Sequence, residues 1–443
     1  MPEPAPTAPL RPRNPAEAMV WYALTWTWPF YAIGALYVVG PVLGWLIGML
    51  AALSLYLGPA IRPDLRATGP VPWLIWVWTA GIVVLLVALW GGHVDWGYGL
   101  GATIKSSIGW AKGWALIVLF LLAGAVLPIR RALLVRAQTV LGAWTLVMAG
   151  VLVAGYYAGL PERLFVSPFQ AVGGPGPEYF GVYIYTIDPA FMTPRWQFFA
   201  PWSPFAAILG VVMILFALEE THRGLRAAAV AAGLAMVLLA KSRMGLVGVV
   251  VCPLLPRLAP LLLQPWAVGM LAGVAASMAV LGTWLLQMAE NAITAFEEAR
   301  ANSTRVRETL QRIAADRWET DAFWWGHATV RPGPHLVEYM PIGSHHTWWG
   351  LLFIKGVVGF TAFLVPFALH ALLVLLDAVQ HPRGRLPLGL MLTFTMMTFG
   401  ENIEIQVYLL WPALVALGLH LREVASSPRQ RTDPGVPRAA AHA

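Results

Sequence analysis

Apolar stretches of roughly 20 residues, long enough to cross the hydrocarbon core of a bilayer, recur along most of the chain. About twelve are predicted to be transmembrane helices: 19–37, 40–58, 71–90, 110–128, 137–157, 203–219, 226–240, 244–259, 262–287, 347–376, 387–402 and 404–422. Two long inserts, about 158–202 and 288–346, separate some of them. The pattern predicts an all-α, polytopic integral membrane protein. Its transmembrane domain covers 19–425, between a cytoplasmic tail (1–18) and a disordered cytoplasmic tail (426–443).

The distribution of Lys and Arg predicts the orientation, because cytoplasmic connections are richer in these residues. With the N-terminus inside, the inner segments carry most of the arginines: Arg11, Arg13, Arg62, Arg66, Arg130, Arg131, Arg136, Arg223, Arg226, Arg257, Arg383, Arg385, Arg422, Arg429, Arg431 and Arg438. The short outer connections carry little beyond Lys105, Lys241 and Arg243. Both inserts then face the periplasm of a Gram-negative cell, and the protein is expected in the inner membrane.

The composition supports the membrane assignment and excludes other classes. Hydrophobic residues make up 58% of the chain, charged residues only 12%, and the mean hydropathy is +0.66, which no soluble domain shows. The only cysteine, Cys252, lies in an apolar stretch, so disulfides and Cys-based metal sites are excluded. The net charge of +7 comes with no nucleic-acid-binding motif, so nucleic acid is not an expected partner.

Two places outside the spans combine cations with helix starts. Arg195 precedes a helix predicted to begin near Ser203; it either snorkels at the membrane interface or binds an anion, and spacing alone does not separate these. Lys241 and Arg243 occupy a tight turn between two spans, where a plain connector would more simply use Gly, Ser or Asn. Two cations at this position favour an anion-binding site.

The second insert begins with a predicted amphipathic helix, about 288–318, rich in arginines that include Arg305. Such a pattern is usually a solvated face, although on a membrane surface it also suits an acidic head group. The insert ends with His345 and His346, either caps of the next helix or proton acceptors near neutral pH. No metal-ligand spacing accompanies them. Glu401, in the last outer turn, is either solvated or hydrogen-bonded to the arginines or the histidines.

The end of this insert has a specific spacing. His345 is followed by His346, then the nine residues 347–355, then Gly356-Val357-Val358-Gly359. With Arg195 and the turn Ser242-Arg243-Met244-Gly245 before it, this order resembles the O-antigen ligase and O-antigen polymerase superfamily of bacterial glycan-assembly enzymes. Its hallmark is a His, a small polar residue, nine residues and Gly-x-x-Gly; His346 stands where Asn, Ser or Gln is usual. The resemblance covers about 190 to 360.

The resemblance implies a helical C-type glycosyltransferase fold and an activity. Such enzymes transfer a glycan from undecaprenyl diphosphate to an acceptor sugar hydroxyl, without metal or other cofactor and with inversion at the anomeric carbon. The resemblance implies His345 as the base and places Arg195 and Arg243 beside the departing diphosphate. We also assign four residues to substrate binding: Lys241, Arg305, His346 and Glu401.

The acceptor remains open between two alternatives. A ligase attaches the glycan to lipid A core, whereas a polymerase attaches it to another lipid-linked repeat; we favour the ligase. A lipid-linked oligosaccharide flippase is a distant third, since it predicts internal repeats and charges buried mid-membrane. No repeat is evident, and Lys355 is the only conspicuous ionisable residue well inside a predicted span.

Overall fold

The computed structural model describes residues 10–188, 191–280, 301–337, 339–343 and 346–427. It is 75% helical, with almost no strands. The helices of the described part are α1 (Pro15–Thr25), α2 (Thr27–Ala32), α3 (Leu36–Leu57), α4 (Trp73–Asp95), α5 (Leu100–Lys112), α6 (Trp114–Val126), α7 (Arg131–Tyr157), α8 (Ser203–Ala217), α9 (Arg223–Ala240), α10 (Arg243–Leu258), α11 (Pro265–Val280), α12 (Ala301–Asp321), α13 (Thr347–Gln380), α14 (Arg385–Thr398) and α15 (Val407–Ser426).

Within the described residues, eight helical segments are long and apolar enough to cross a membrane: Leu36–Leu57, Trp73–Asp95, Leu100–Val126, Arg131–Tyr157, Arg223–Ala240, Arg243–Leu263, Thr347–Gln380 and Glu404–Ser426. The protein is therefore a helical, multi-pass membrane protein. Twelve spans remain a prediction, because the other predicted segments form shorter helices or extend beyond residue 280. The predicted 19–37 span is divided at Trp26 into α1 and α2. Residues 1–9 and the predicted disordered tail from 428 onward lie outside the described residues.

The helices pack closely where small residues face each other, as is usual between membrane helices. A Cβ on Gly124 of α6 would lie 2.2 Å from the carbonyl oxygen of Val415, and one on Gly418 of α15 would lie 2.1 Å from that of Leu121. The backbones of α6 and α15 are thus in direct contact. α15 is accordingly the most buried of the spanning helices, because 89% of its most apolar 18-residue stretch lies inside the protein.

Three short antiparallel hairpins belong to the two inserts: β1 (Arg163–Val166) with β2 (Gly181–Tyr183), β3 (Thr186–Asp188) with β4 (Thr193–Arg195), and β5 (Arg331–Pro332) with β6 (Pro341–Ile342). Both inserts lie at the same end of the bundle, which we call the insert end. Contacts join the first insert to the end of α9 and the second to the start of α13. The described part of α12 packs there through Val306, Leu310 and Ala314.

The opposite end, the arginine-rich end, carries Arg130, Arg131, Arg136, Arg383 and Arg422. Arg130 pairs with buried Glu17 at 2.6 Å and Arg136 with buried Glu220 at 2.7 Å. Burial alone would raise the pKa of Glu220, but the hydrogen bonds from Arg136, His222 and Thr139 lower it to about 2. These arginines therefore join helix ends as well as carrying charge.

Ionisable side chains inside the spans are more numerous than Lys355 alone. His370 and Asp377 of α13 and His420 of α15 are buried as well. Asp377 accepts from His420 at 2.9 Å and pairs with Arg383 at 2.9 Å. This cluster adjoins the arginine-rich end, away from the inserts.

Candidate active site

The histidine motif ends at a helix start that is tied to the last turn of the chain. The side-chain hydroxyl of Thr347, the first residue of α13, donates to the carbonyl oxygen of Glu401 at 2.7 Å and accepts from the N–H of Ile403 at 3.0 Å. The indole N–H of the next residue, Trp348, donates to the hydroxyl of Thr398 at 3.0 Å. The start of α13 and the 400–403 turn are therefore one rigid unit, although more than 50 residues separate them.

Glu401 is a buried carboxyl at the centre of this unit. Its side chain is 3% exposed, and its Oε2 accepts the indole N–H of Trp202 at 3.1 Å. Burial raises the pKa of Glu401 to about 7, although nearby Arg307 and the Trp202 bond act in the other direction. A carboxyl with this pKa exchanges a proton at neutral pH, whereas a solvated glutamate would be fully ionised.

Arg195 lies at the end of β4 and is bound to the end of α9. Its Nε donates to the carbonyl oxygen of Ala240 at 3.1 Å, and its Nη1 lies 3.4 Å from the carboxylate of Asp188. The structure thus places Arg195 directly beside the turn that holds Lys241 and Arg243. An arginine that only snorkels at the membrane interface would not need this position.

The turn itself has a defined geometry. Lys241 adopts a left-handed backbone conformation, with φ of 52°, which costs a non-glycine residue about 1 kcal/mol. The hydroxyl of Ser242 then caps α10 by accepting the N–H of Gly245 at 3.3 Å. Met244 lies against Gly400, since a Cβ there would be 3.2 Å from the Met244 methyl carbon. The Lys241–Arg243 turn and the Glu401 turn are consequently neighbours.

The second insert adds a cation that the sequence reading did not select. Arg307 of α12 lines a small crevice with Gln311, Gly343, His346 and Trp349, and it is close enough to Glu401 to influence its pKa. Arg305 and Arg307 are both exposed, but Arg305 does not line this crevice. The available signal was helical phase: Arg307 shares its face with Leu310 and Ala314, at i+3 and i+7.

His346 acts as the N-cap of α13. Its Nδ1 accepts the N–H of Trp349 at 3.4 Å, and its ring contacts Phe399 edge-on at 5.7 Å between centroids. Burial lowers the pKa of His346 to about 4, so the ring is neutral at physiological pH. With Nδ1 occupied as an acceptor, the proton lies on Nε2. His345 and Ser344 lie outside the described residues.

The Gly-x-x-Gly sequence has a structural explanation in a break of α13. Gly356 has φ of 61° and ψ of −168°, which interrupts the helical hydrogen bonds. A segment of the second insert replaces them. The N–H of Val357 donates to Phe323 at 2.9 Å, while the carbonyl oxygens of Phe353 and Ile354 accept from His327 and Ala328 at 2.7 and 2.8 Å. The insert is therefore hydrogen-bonded into the helix.

Gly356 cannot be replaced without displacing this segment. A Cβ there would lie 2.2 Å from the carbonyl oxygen of Trp324, and the left-handed φ is itself unfavourable for other residues. Gly359 has a different role, because a Cβ there would lie 2.3 Å from the Cβ of Lys355. Because glycine has no Cβ, there is room at this position for the buried side chain of Lys355 beside the helix break.

The same insert segment is held against α4 by aromatic contacts. The ring of His327 stacks between Trp96 and Phe353, at 5.0 and 4.3 Å between centroids. The guanidinium of Arg331 lies 4.1 Å from the centre of the Trp96 ring, a cation–π contact. The second insert is thus fixed both to α13 and to α4 beside the site.

In the described part of the chain, no three His, Cys, Asp or Glu side chains are arranged to hold a metal ion. The chain matches no protein-family model, and no curated protein matches it.

Proposed function

We propose that the protein is a membrane glycosyltransferase of the O-antigen ligase and polymerase type. It takes a glycan from undecaprenyl diphosphate and, as a ligase, transfers it to a sugar hydroxyl of lipid A core. The observation that carries the proposal is the convergence of Arg195, the Lys241–Arg243 turn and Glu401 beside the start of α13. Three distant parts of the sequence meet there, and each bears a group that this reaction needs.

The reaction forms one carbon–oxygen bond and breaks another, and it moves one proton. The acceptor oxygen attacks the anomeric carbon and loses its proton to a base, assigned to His345. The bond from that carbon to the phosphate oxygen breaks on the opposite face, and the diphosphate leaves with the electron pair, which inverts the anomeric centre. Negative charge grows on the leaving group, and Arg195, Lys241, Arg243 and Arg307 supply positive charge around it.

The remaining groups have supporting roles. Neutral His346 caps α13, while Glu401 is available to hydrogen-bond a sugar hydroxyl or exchange its proton. Arg305, exposed on α12, is suited to contacting the glycan or a lipid head group.

The proposed orientation places the insert end in the periplasm and the arginine-rich end in the cytoplasm of the inner membrane. The segregation of Arg130, Arg131, Arg136, Arg383 and Arg422 to one end supports this, because cytoplasmic ends are rich in cations. Sidedness reporters fused at Arg383 should report cytoplasm, and those at Pro175 periplasm. The opposite result would put the site on the wrong face for a lipid-linked donor and would end the proposal.

Deletion of the gene in its own host distinguishes the acceptors. Loss of a ligase leaves long glycans on the carrier lipid and bare lipid A core on a gel. Loss of a polymerase leaves single repeat units instead, and loss of a flippase retains those units inside the cell. Unchanged surface and lipid-linked glycan would exclude the proposed activity in that host.

A further inference from the structure

An apolar groove runs along the outside of the bundle, between α3 and the end of α5. It has a volume of about 360 Å³ and is lined by Tyr37, Val42, Trp45, Leu46, Val172 and Lys112, among others. Val42, Trp45 and Leu46 are 46 to 52% exposed, so the groove lies open on the surface that faces the bilayer. From Tyr37 to Leu46 it follows α3 for roughly 14 Å, at 1.5 Å per residue.

The groove has one polar end. Lys112, the last residue of α5, donates from Nζ to the carbonyl oxygen of Gly173 at 3.0 Å, and Nζ lies 5.8 Å from the centre of the Tyr37 ring. Gly173 belongs to the first insert and Tyr37 to the first turn of α3. The cation therefore stands at the insert end of the groove, and the apolar lining extends away from it into the membrane-spanning part of α3.

The groove adjoins the candidate active site through a wall of aromatic rings. The Tyr37 ring contacts Tyr179 at 5.1 Å between centroids, and Tyr179 contacts Trp202 at 5.8 Å. Trp202 in turn donates to Glu401. A ligand in the groove thus has its polar end on the side of the molecule where the site cations converge.

We propose that this groove binds the isoprenoid chain of a polyprenyl diphosphate, with Lys112 at the end of the groove nearest the diphosphate. The identity of the lipid rests on the proposed function. One apolar channel beneath one cation matches a lipid with a single chain under its phosphates, whereas a phospholipid brings two chains. A lysine at a membrane surface attracts an anionic head group by about 1 kcal/mol, or roughly fivefold in affinity. The groove holds only the isoprene units nearest the head group.

Photo-crosslinking tests the site directly. The full-length protein, in nanodiscs of phosphatidylcholine, is exposed to a diazirine-bearing polyprenyl diphosphate without any acceptor, and the labelled peptide is identified by mass spectrometry. We expect label between Tyr37 and Leu46. Val42→Trp, which fills the groove, should lower labelling about tenfold, and Lys112→Met about fivefold. Val83→Trp, at a 50% exposed position on α4, is the matched control and should not change it.

Two outcomes would overturn the proposal. Undiminished labelling in both Val42→Trp and Lys112→Met would show that the chain lies elsewhere. Equal competition by phosphatidylglycerol and by unlabelled polyprenyl diphosphate would assign the groove to ordinary phospholipid. Lys112→Met adds no volume, so it tests the site even if Val42→Trp folds poorly.

The binding experiment is independent of glycan transfer. His345→Ala should be labelled like the unmodified protein, since it removes only the proposed base. Groove labelling in a protein whose gene deletion leaves all glycans unchanged would refute the transferase proposal and retain the lipid site. Normal transfer by Val42→Trp with full labelling elsewhere would refute the groove and retain the transferase.

Discussion

The side-chain hydroxyl of Thr347 donates a hydrogen bond to the backbone carbonyl oxygen of Glu401 at 2.7 Å. Through a second bond, accepted from the N–H of Ile403, it fixes the start of α13 to the 400–403 turn. Thr347→Val keeps the shape but leaves a buried carbonyl oxygen and N–H without a partner, so we expect unfolding free energy to fall by about 2 kcal/mol. Thr361→Val, exposed on the same helix and bonded only to its own turn, is the control and should be neutral. Equal effects of the two variants, measured by thermal unfolding in detergent, would remove any special role of Thr347.

Glu401 should make stability depend on pH. Its folded pKa, about 7, is above the ordinary value of 4.5, so the folded state holds the proton more tightly. The associated stability is present below pH 4.5 and is lost as the pH rises through 7, by up to about 3 kcal/mol. Thermal unfolding of Glu401→Gln should lack this loss between pH 5 and 8. Parallel pH profiles for both proteins would show that Glu401 titrates normally.

Arg243 should act on the donor diphosphate. Arg243→Ala should lower transfer about 100- to 1,000-fold, as for a missing transition-state donor, while the protein still inserts and purifies. Arg243→Lys should restore only part, because a point charge lacks the bidentate fork. Arg195→Ala should also lose transfer. Unlike Arg243→Ala, it should be less stable as well, because it loses the bonds of Arg195 to Ala240 and Asp188.

Arg257→Ala serves as the control for Arg243. Arg257 lies near the other end of α10 and donates to its own helix, at Pro253. Its removal should leave transfer unchanged in an assay with purified lipid-linked glycan. Full activity in Arg243→Ala would exclude Arg243 from the diphosphate site.

The two adjacent histidines should respond differently. His345→Ala should lose about 100- to 10,000-fold in turnover, the usual cost of a missing general base. His346→Asn should be tolerated, because asparagine is also a good N-cap for the N–H of Trp349. His346, with a pKa of about 4, stays neutral above pH 5, so its protonation does not cause any fall in transfer above that pH.

Transfer should fall at low pH as its base becomes protonated, and the pH profile identifies the group responsible. This fall should persist in Glu401→Gln and disappear from the residual activity of His345→Ala. The reverse pattern, with His345→Ala active and His346→Asn inactive, would shift the base by one residue.

Gly356→Ala should release the second insert from α13. The added Cβ would collide with the Trp324 carbonyl, so we expect faster proteolysis between Trp318 and Arg331 and a loss of transfer. Gly150→Ala is the control, because a Cβ there meets nothing within 4 Å and alanine favours the helix. Unchanged proteolysis in Gly356→Ala would mean that the helix break tolerates a side chain.

The sequence by itself determined the class of fold and the approximate positions of most long helices. Runs of about 20 apolar residues cross a bilayer only as helices, since every backbone group must be hydrogen-bonded there. Charge in the short connections likewise separated the arginine-rich end from the insert end. Two predicted spans are exceptions. The 110–128 span begins at Leu100 and is divided at Gly113 into α5 and α6. The first span is divided at Trp26 into α1 and α2, and Gly34 beyond them packs against Ser167 and Phe180 of the first insert. Local hydropathy does not encode such a long-range contact.

Only the tertiary structure decided which polar groups meet. Spacing marked Gly356 as special, but its partners, Phe323 and Trp324, became evident only when the insert was seen to complete the broken helix. Likewise, Arg305 and Arg307 are the same residue type, two positions apart. Only the way α12 packs against the start of α13 placed Arg307 beside His346. The raised pKa of Glu401 has the same origin. It arises from burial beneath Trp202, 199 residues away along the chain, and burial is a property of the fold rather than of any local pattern.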